Sequence, residues 1–360
     1  MPQTFDLTAV APILAGIVEG SGESSGKSLT KLQVDAKDAL YIMLDFASGQ
    51  GKAIAERALI DWSVKDYNQR ALAGQYNIKS IIKKIGPRAA EGLIPILAMN
   101  EVAIRYVAEL IREVGDPPVL AKASASLASQ LLQNIGKIQE IHLIAAAIIG
   151  GAPIADALLK IATDRKQSDE LQRYALRAFS DSVTRKAVTP TDEEMNLLCA
   201  MAENPEFDKY QREETYYVIA QVGRKEDIKR LRKLLAEEDS FWQAVGFRSL
   251  LRSDGEGQLR SALQELDQRE YIEGEDEVNE LISRIASFPK LLPIVRSLLA
   301  ERSAAIRGIA VGVIAKIGQP EDQKALIALG GDKARLPKGF VHKTVGEAAK
   351  NAAETIKKRG

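Results

Sequence analysis

Apolar residues recur three and four positions apart along almost the whole chain. Val102, Val107, Leu110, Ile111 and Val114 form one such stripe, and Ile306, Ile309, Ala310, Val313, Ile314 and Ile317 form another. That spacing follows the turn of an α-helix, so each set lies on one face of an amphipathic helix. No run alternates apolar and polar residues in the manner of a half-buried strand. No Asn-Gly or Asp-Gly pair joins two strand-like runs either, and Asp254-Gly255 follows a helical pattern. The expected fold class is all-α. Helices are predicted near 7–18, 31–47, 51–66 and 69–85. A last one is predicted over Val345–Lys358, where Ala348, Ala349, Ala352 and Ala353 are interspersed with Lys and Glu.

The helix ends share a form. An aliphatic residue precedes Gly, and Pro often follows within a few positions: Ile85-Gly86-Pro87, Val114-Gly115-Asp116-Pro117, Ile149-Gly150-Gly151-Ala152-Pro153 and Ile317-Gly318-Gln319-Pro320, with Val222-Gly223 lacking the Pro. Glycine suits the left-handed conformation just past a helix, and proline cannot continue one. Repetition of one stop suggests an internal repeat. Two segments can be superposed: Leu93-Ile94-Pro95-Ile96-Leu97 followed by Arg105 and Gly115, and Leu291-Leu292-Pro293-Ile294-Val295 followed by Arg307 and Gly318. The Arg-to-Gly spacing is 10 in the first and 11 in the second. Asp208, Arg212 and Gly223 make a third copy, again with 11.

These residues resemble the HEAT-like helical repeats, in which a Pro in the first helix, an Arg early in the second and an aliphatic-Gly stop are common. The resemblance covers roughly 86–329. It departs from the family in irregular spacing and around Leu120–Gly136, which fits no unit. It implies a right-handed α-solenoid of antiparallel helix pairs, with 1–85 as an N-terminal helical cap, 86–329 as the repeat array, and 330–360 as a basic loop and capping helix. End caps are needed because a terminal repeat would otherwise expose its apolar face.

Composition agrees with close-packed helices. Only 5% of the residues are aromatic, while 46% are hydrophobic, so the core is built from small aliphatic side chains. The single Cys excludes a disulfide framework. Asp6 precedes the apolar run from Leu7 to Val18 with no Lys or Arg before it, unlike a signal peptide. The uncharged stretch Ile141–Ala155 is short for a bilayer and holds Gly150, Gly151 and Pro153. A cytoplasmic protein with no membrane partner is the expectation. Net charge is zero but unevenly placed. Ser261–Glu280 has eight acids against Arg269 alone, and Gly331–Gly360 has eight bases against Asp332, Glu347 and Glu354. Both read as solvated surface, with docking patches as the sharper alternative.

Candidate chemistry is sparse. Gly20-Ser21-Gly22-Glu23-Ser24-Ser25-Gly26-Lys27-Ser28 has the Gly-Lys-Ser end of a phosphate-binding loop, but Ser21 stands where the first Gly is required and no strand precedes it. His142 and His342 lie in different repeats, and neither is followed by Glu, unlike the iron-dependent hydroxylases built from HEAT-like repeats; both read as structural. Cys199, in Leu197-Leu198-Cys199-Ala200-Met201, reads as a packed small residue. Two aromatic groups, Tyr210, Tyr216 and Tyr217, and Phe241, Trp242 and Phe247, read mostly as core. The basic run of Arg224, Lys225, Lys229, Arg230, Arg232 and Lys233 is offset by Glu226, Asp227 and Glu237-Glu238-Asp239, which weighs against nucleic acid.

The expected function is a non-catalytic scaffold or adaptor that binds another protein on the concave face of the solenoid. No cofactor, metal or catalytic residue is expected. The resemblance places second helices on the inner curve, which makes Arg105, Arg112, Arg212, Tyr216, Gln243, Arg248 and Arg307 the protein-binding candidates. Arg and Tyr are frequent at interface hot spots. A ladder in which these arginines bond to turn carboxylates such as Asp208 is the competing assignment. Two other functions stay open: a HEAT-like lyase or chaperone acting on a bilin-type chromophore or its carrier, and a nucleic-acid-binding repeat protein.

Overall fold

The computed structural model describes residues 7–19, 31–70, 75–98 and 103–359. Among them the fold is all-α, 80% helical and without strands; Arg335 and Thr344 form an isolated antiparallel β-bridge. The Gly20–Ser28 segment lies outside the described residues.

The chain divides into two compact units, Met1–Leu197 with Pro205–Glu214, and Leu198–Asn204 with Thr215–Gly360. In the first, the helices are α1 (Ala11–Glu19), α2 (Lys31–Phe46), α3 (Gly49–Arg70), α4 (Gln75–Ile85), α5 (Pro87–Leu93), α6 (Ile104–Val114), α7 (Pro117–Gln133), α8 (Glu140–Ile149), α9 (Ala152–Thr163) and α10 (Asp169–Thr184). Residues of α11 (Asp192–Glu203) and α12 (Lys209–Val222) belong to both units. The second unit continues with α13 (Ile228–Lys233), α14 (Ser240–Gln268), α15 (Glu275–Ala286), α16 (Leu292–Leu298), α17 (Ala304–Ile317), α18 (Asp322–Leu329) and α19 (Val345–Arg359).

Packing is local in sequence. Within the first unit α6 packs on α8 and α8 on α10, while α7 packs on α9 and α9 on α10. Within the second, α15 packs on α17 and α17 on α19, while α16 lies against α14 and α17. The stripes seen in the sequence are the faces that do this. Val107, Leu110 and Ile111 are buried in α6, and Ile306, Ile309, Ala310, Val313 and Ile314 in α17.

The shared helix stop turns out to be two devices. Gly86, Gly150 and Gly223 take positive φ (84°, 67° and 70°), where a side chain is strained. Gly115 and Gly318 do not: their φ values are −71° and −65°. There glycine is required by crowding, because a Cβ would come 2.6 Å from the Ile111 carbonyl oxygen and 2.5 Å from that of Ile314. The two superposed prolines also differ. Pro95 sits in a 3-10 turn, Ile94–Ala98, that follows α5, whereas Pro293 is in the first turn of α16. A proline lacks the N–H that a helix interior needs, so each lies at a helix boundary.

The Asp254-Gly255 pair interrupts α14. Asp254 has φ −152° and ψ 60°, outside the helical region. Its Oδ1 accepts the Gly257 N–H at 3.2 Å and its Oδ2 accepts the Gln258 amide at 3.1 Å, so it caps the second half of the helix as an N-cap would.

Candidate functional site

The seven candidate positions are best judged by what their side chains hold. Four helix starts share one arrangement. In α10, Gln172 (1% exposed) donates through Nε2 to the carbonyls of Asp164 at 2.8 Å and Gln167 at 3.2 Å. In α12, Gln211 (1% exposed) accepts the Asp208 N–H at 3.2 Å and donates to Gln172 Oε1 at 2.7 Å. In α14, Gln243 donates to the Glu237 carbonyl at 2.7 Å. In α17, Arg307 donates to the carbonyls of Glu301 at 2.6 Å and Arg302 at 2.9 Å, and its Nε to Asp332 Oδ2 at 2.9 Å. Gln172, Gln243 and Arg307 supply donors to turn carbonyls that the preceding chain leaves without helical partners, while Gln211 accepts a turn N–H and joins Gln172.

Arg307 and Gln243 are therefore tied into their own unit rather than standing on an open stripe. Tyr216 is also displaced from the expected surface: it is buried, with its ring edge-on to Trp242 at 6.0 Å between centroids. Arg248 is half-buried. It donates to the Ala244 carbonyl at 3.2 Å, lies 3.5 Å from Glu280 and stacks 5.5 Å from the Tyr217 ring. Arg212 is half-buried on α12. Arg112 is exposed and reaches the Ile149 carbonyl, in the last turn of α8, at 3.3 Å. Arg105 is exposed and pairs with Glu109 at 3.2 Å. Asp208 is a helix cap whose Oδ1 accepts the N–H of Tyr210 at 2.6 Å.

Both histidines have hydrogen-bond partners. His142 Nδ1 accepts the Gln139 N–H at 3.1 Å and completes a capping box at the start of α8. His342 Nε2 lies 3.0 Å from Asn351 Nδ2. Cys199 is buried, and burial pushes its thiol up, away from the thiolate. Beside it Asp227, 0% exposed, is clamped by Arg224 Nε at 2.8 Å and Arg230 at 2.7 Å. Among the described residues, no group of three or more His, Cys, Asp or Glu could hold a metal ion.

The second unit contains a cleft of roughly 210 Å³ between α15, α17, α19 and the loop before α19. It exists because two helices show it little side-chain bulk. On α17, Gly308, Gly312 and Ala315 share one face, and on α19 Ala348 and Ala352 do. Val278 and Ile282 of α15 and Val311 complete an apolar floor. A Cβ on Gly312 would lie 2.4 Å from Ile282 Cδ1 and one on Gly308 2.5 Å from Leu336 Cδ2, so either would push those side chains out of place. The polar rim is Asn279, His342 and Asn351, with Phe340 and Val341 from the loop. Val341 is 85% exposed.

The loop is held in place by its backbone. Leu336 N–H donates to the Lys343 carbonyl at 3.0 Å, Val345 N–H to that of Ala334 at 3.1 Å, and Gly346 N–H to that of Asp332 at 2.9 Å. Its tip touches the acidic segment, because a Cβ on Gly339 would sit 2.3 Å from the Gly274 carbonyl oxygen. The acidic and basic stretches noted in the sequence thus meet at this point. Sequence reading passed over the cleft; its signal was Gly308, Gly312 and Ala315 at helical spacing.

No family model matches this chain, and no curated protein matches it. A solved structure described as an engineered protein aligns with 97% of this chain and 84% of its own, at 19% identity and a TM-score of 0.33. A likeness of that degree carries no argument about fold or function. Among the described residues no helix is long and apolar enough to cross a membrane.

Proposed function

We propose that this chain is a non-catalytic scaffold or adaptor of the HEAT-like kind, a right-handed solenoid of antiparallel helix pairs with helical caps, which binds another protein in the cytoplasm. Packing of α6 on α8, α8 on α10 and α7 on α9 in the first unit, and of α15 on α17 and α17 on α19 in the second, supports the stacked architecture. So does the Gln–Gln–Gln–Arg device at the starts of α10, α12, α14 and α17, which marks equivalent positions in successive units. The observation that carries the binding role is the open apolar cleft with its small polar rim, the composition of a recognition site. Arg105 and Arg112, exposed on α6, are retained as partner contacts. Gln243, Tyr216 and Arg307 serve the interior.

The alternatives differ in what they would carry. A bilin-type chromophore brings a visible absorbance band. A nucleic-acid role would ask for a basic groove with stacking aromatics along it, whereas here the basic residues lie on one loop beside an apolar cleft. The test is purification of the tagged full chain from its native host, with an absorbance spectrum and identification of what accompanies it. The expected preparation has no visible band, no excess absorbance from nucleic acid, and a stoichiometric protein partner. A chromophore band, or nucleic acid without a protein partner, overturns the proposal.

A further inference from the structure

We infer that the cleft of the second unit takes one large apolar side chain from an acidic segment of the partner protein; this rests on the adaptor reading. The size of the cleft suits a single side chain. An engineered cavity of about 150 Å³ accepts benzene, and drug-sized ligands need about 300 Å³ or more. A space of roughly 210 Å³ lies between these, which suits a single aromatic or long aliphatic side chain rather than a free cofactor. Asn279 and Asn351 on the rim can bond to the backbone or ring N–H of such an anchor.

The charge beside the cleft suits acidic flanks. Lys333, Arg335, Lys338 and Lys343 are exposed on the loop that forms one wall. Among the described residues none of their side chains pairs with a carboxylate, although the Lys343 N–H donates to Glu347 Oε2 at 3.0 Å, and Asp332, the acid of that loop, is taken by Arg307. Lys338 and Lys343 flank in sequence the loop residues Gly339–His342 that line the cleft, and Lys333 and Arg335 lie on the same loop, so positive charge stands beside an apolar hole. Opposing it, Glu273, Glu275 and Asp276 are exposed where α15 begins, beside Gly274. The acids of the incoming segment therefore lie along the loop and α19, away from the start of α15. Because the loop is already ordered, little conformational entropy is lost when it is used.

The test uses the full chain and a panel of fluorescein-labelled peptides. Each has Ala, Leu, Phe or Trp at its centre and Glu, Ser or Lys in its flanks, and binding is read by anisotropy. The Glu-flanked Trp or Phe peptide should bind about tenfold or more tightly than its Ala-centred and Lys-flanked counterparts. Ala315→Phe, which fills the cleft, and Lys338→Glu with Lys343→Glu, which reverses the rim, should each remove that preference. If Ala315→Phe fails to fold by circular dichroism, the exposed Val341→Asp replaces it. No binding of the acidic aromatic peptide, equal binding of acidic and basic peptides, or binding undiminished in the folded variants overturns the inference. If the variants still retain the native partner from host extract, the cleft assignment falls while the adaptor function stands. If the unmodified chain retains no partner, it is the adaptor function that falls.

Discussion

At the scale of single residues, buried polar groups show which side chains the fold cannot spare. Gln211 bridges two helix starts, so Gln211→Leu strands both Gln172 Oε1 and the Asp208 N–H in the interior. A loss of about 2 kcal/mol in denaturant unfolding is expected. Asp227 is a stronger case: Asp227→Ala leaves Arg224 and Arg230 without their buried carboxylate, and because they keep Glu226 and Glu203 the expected cost is about 3 kcal/mol, the low end for a broken buried pair. Asp322, 5% exposed, gives a pH dependence. Burial alone would raise its pKa, but hydrogen bonds from Arg296 and the Gln319 N–H and the Arg296 charge together hold it below its ordinary 3.8. A carboxylate depressed on folding stabilises the folded state above the unfolded value and loses that contribution as pH falls through the folded one. Melting temperature should therefore drop below about pH 3.8, and Asp322→Asn should flatten that drop. The residue scale was only partly legible in the sequence. Superposition of Pro, Arg and Gly found Arg307 for its charge, yet its work is to satisfy carbonyls. The same superposition settled on Arg212 when the buried equivalent is Gln211 next to it.

At the scale of elements, amphipathic spacing located helices well because it reports which face is buried. It placed α17 and the buried face of α6 correctly. Breaks were harder. A helical pattern runs through Asp254-Gly255, and only the Asp254 dihedrals reveal a capped break. The glycine stops looked alike in sequence and differ in cause. Gly86 has positive φ with open space around its missing Cβ, whereas at Gly150 that Cβ would also lie 2.4 Å from Ala187 Cβ. Gly86→Ala should cost about 1–3 kcal/mol for backbone strain alone. Gly150→Ala should cost distinctly more, because α8 must also shift from the turn at Ala187. Thermal melts of the two variants, side by side, decide this; equal losses would show that the contact at Gly150 relaxes freely.

At the scale of the whole molecule, the all-α class was legible from periodicity and from the scarcity of aromatic residues. The division into two compact units was not, since α11 and α12 each contribute to both and no composition shift marks the boundary. The cleft escaped for a related reason: Gly and Ala at helical spacing read equally well as close packing, and the loop that walls it comes from beyond the repeat-like region. Positions that hold the fold are distinct from the surface that meets a partner, and one measurement tests that separation: the amount of native partner retained per folded molecule for Arg307→Ala and Val341→Asp, each with its melting temperature. Arg307→Ala should lower the melting temperature and keep the partner, while Val341→Asp should melt like the unmodified chain and lose it. An Arg307→Ala protein of undiminished stability that no longer holds the partner, beside a Val341→Asp protein that does, would contradict the account.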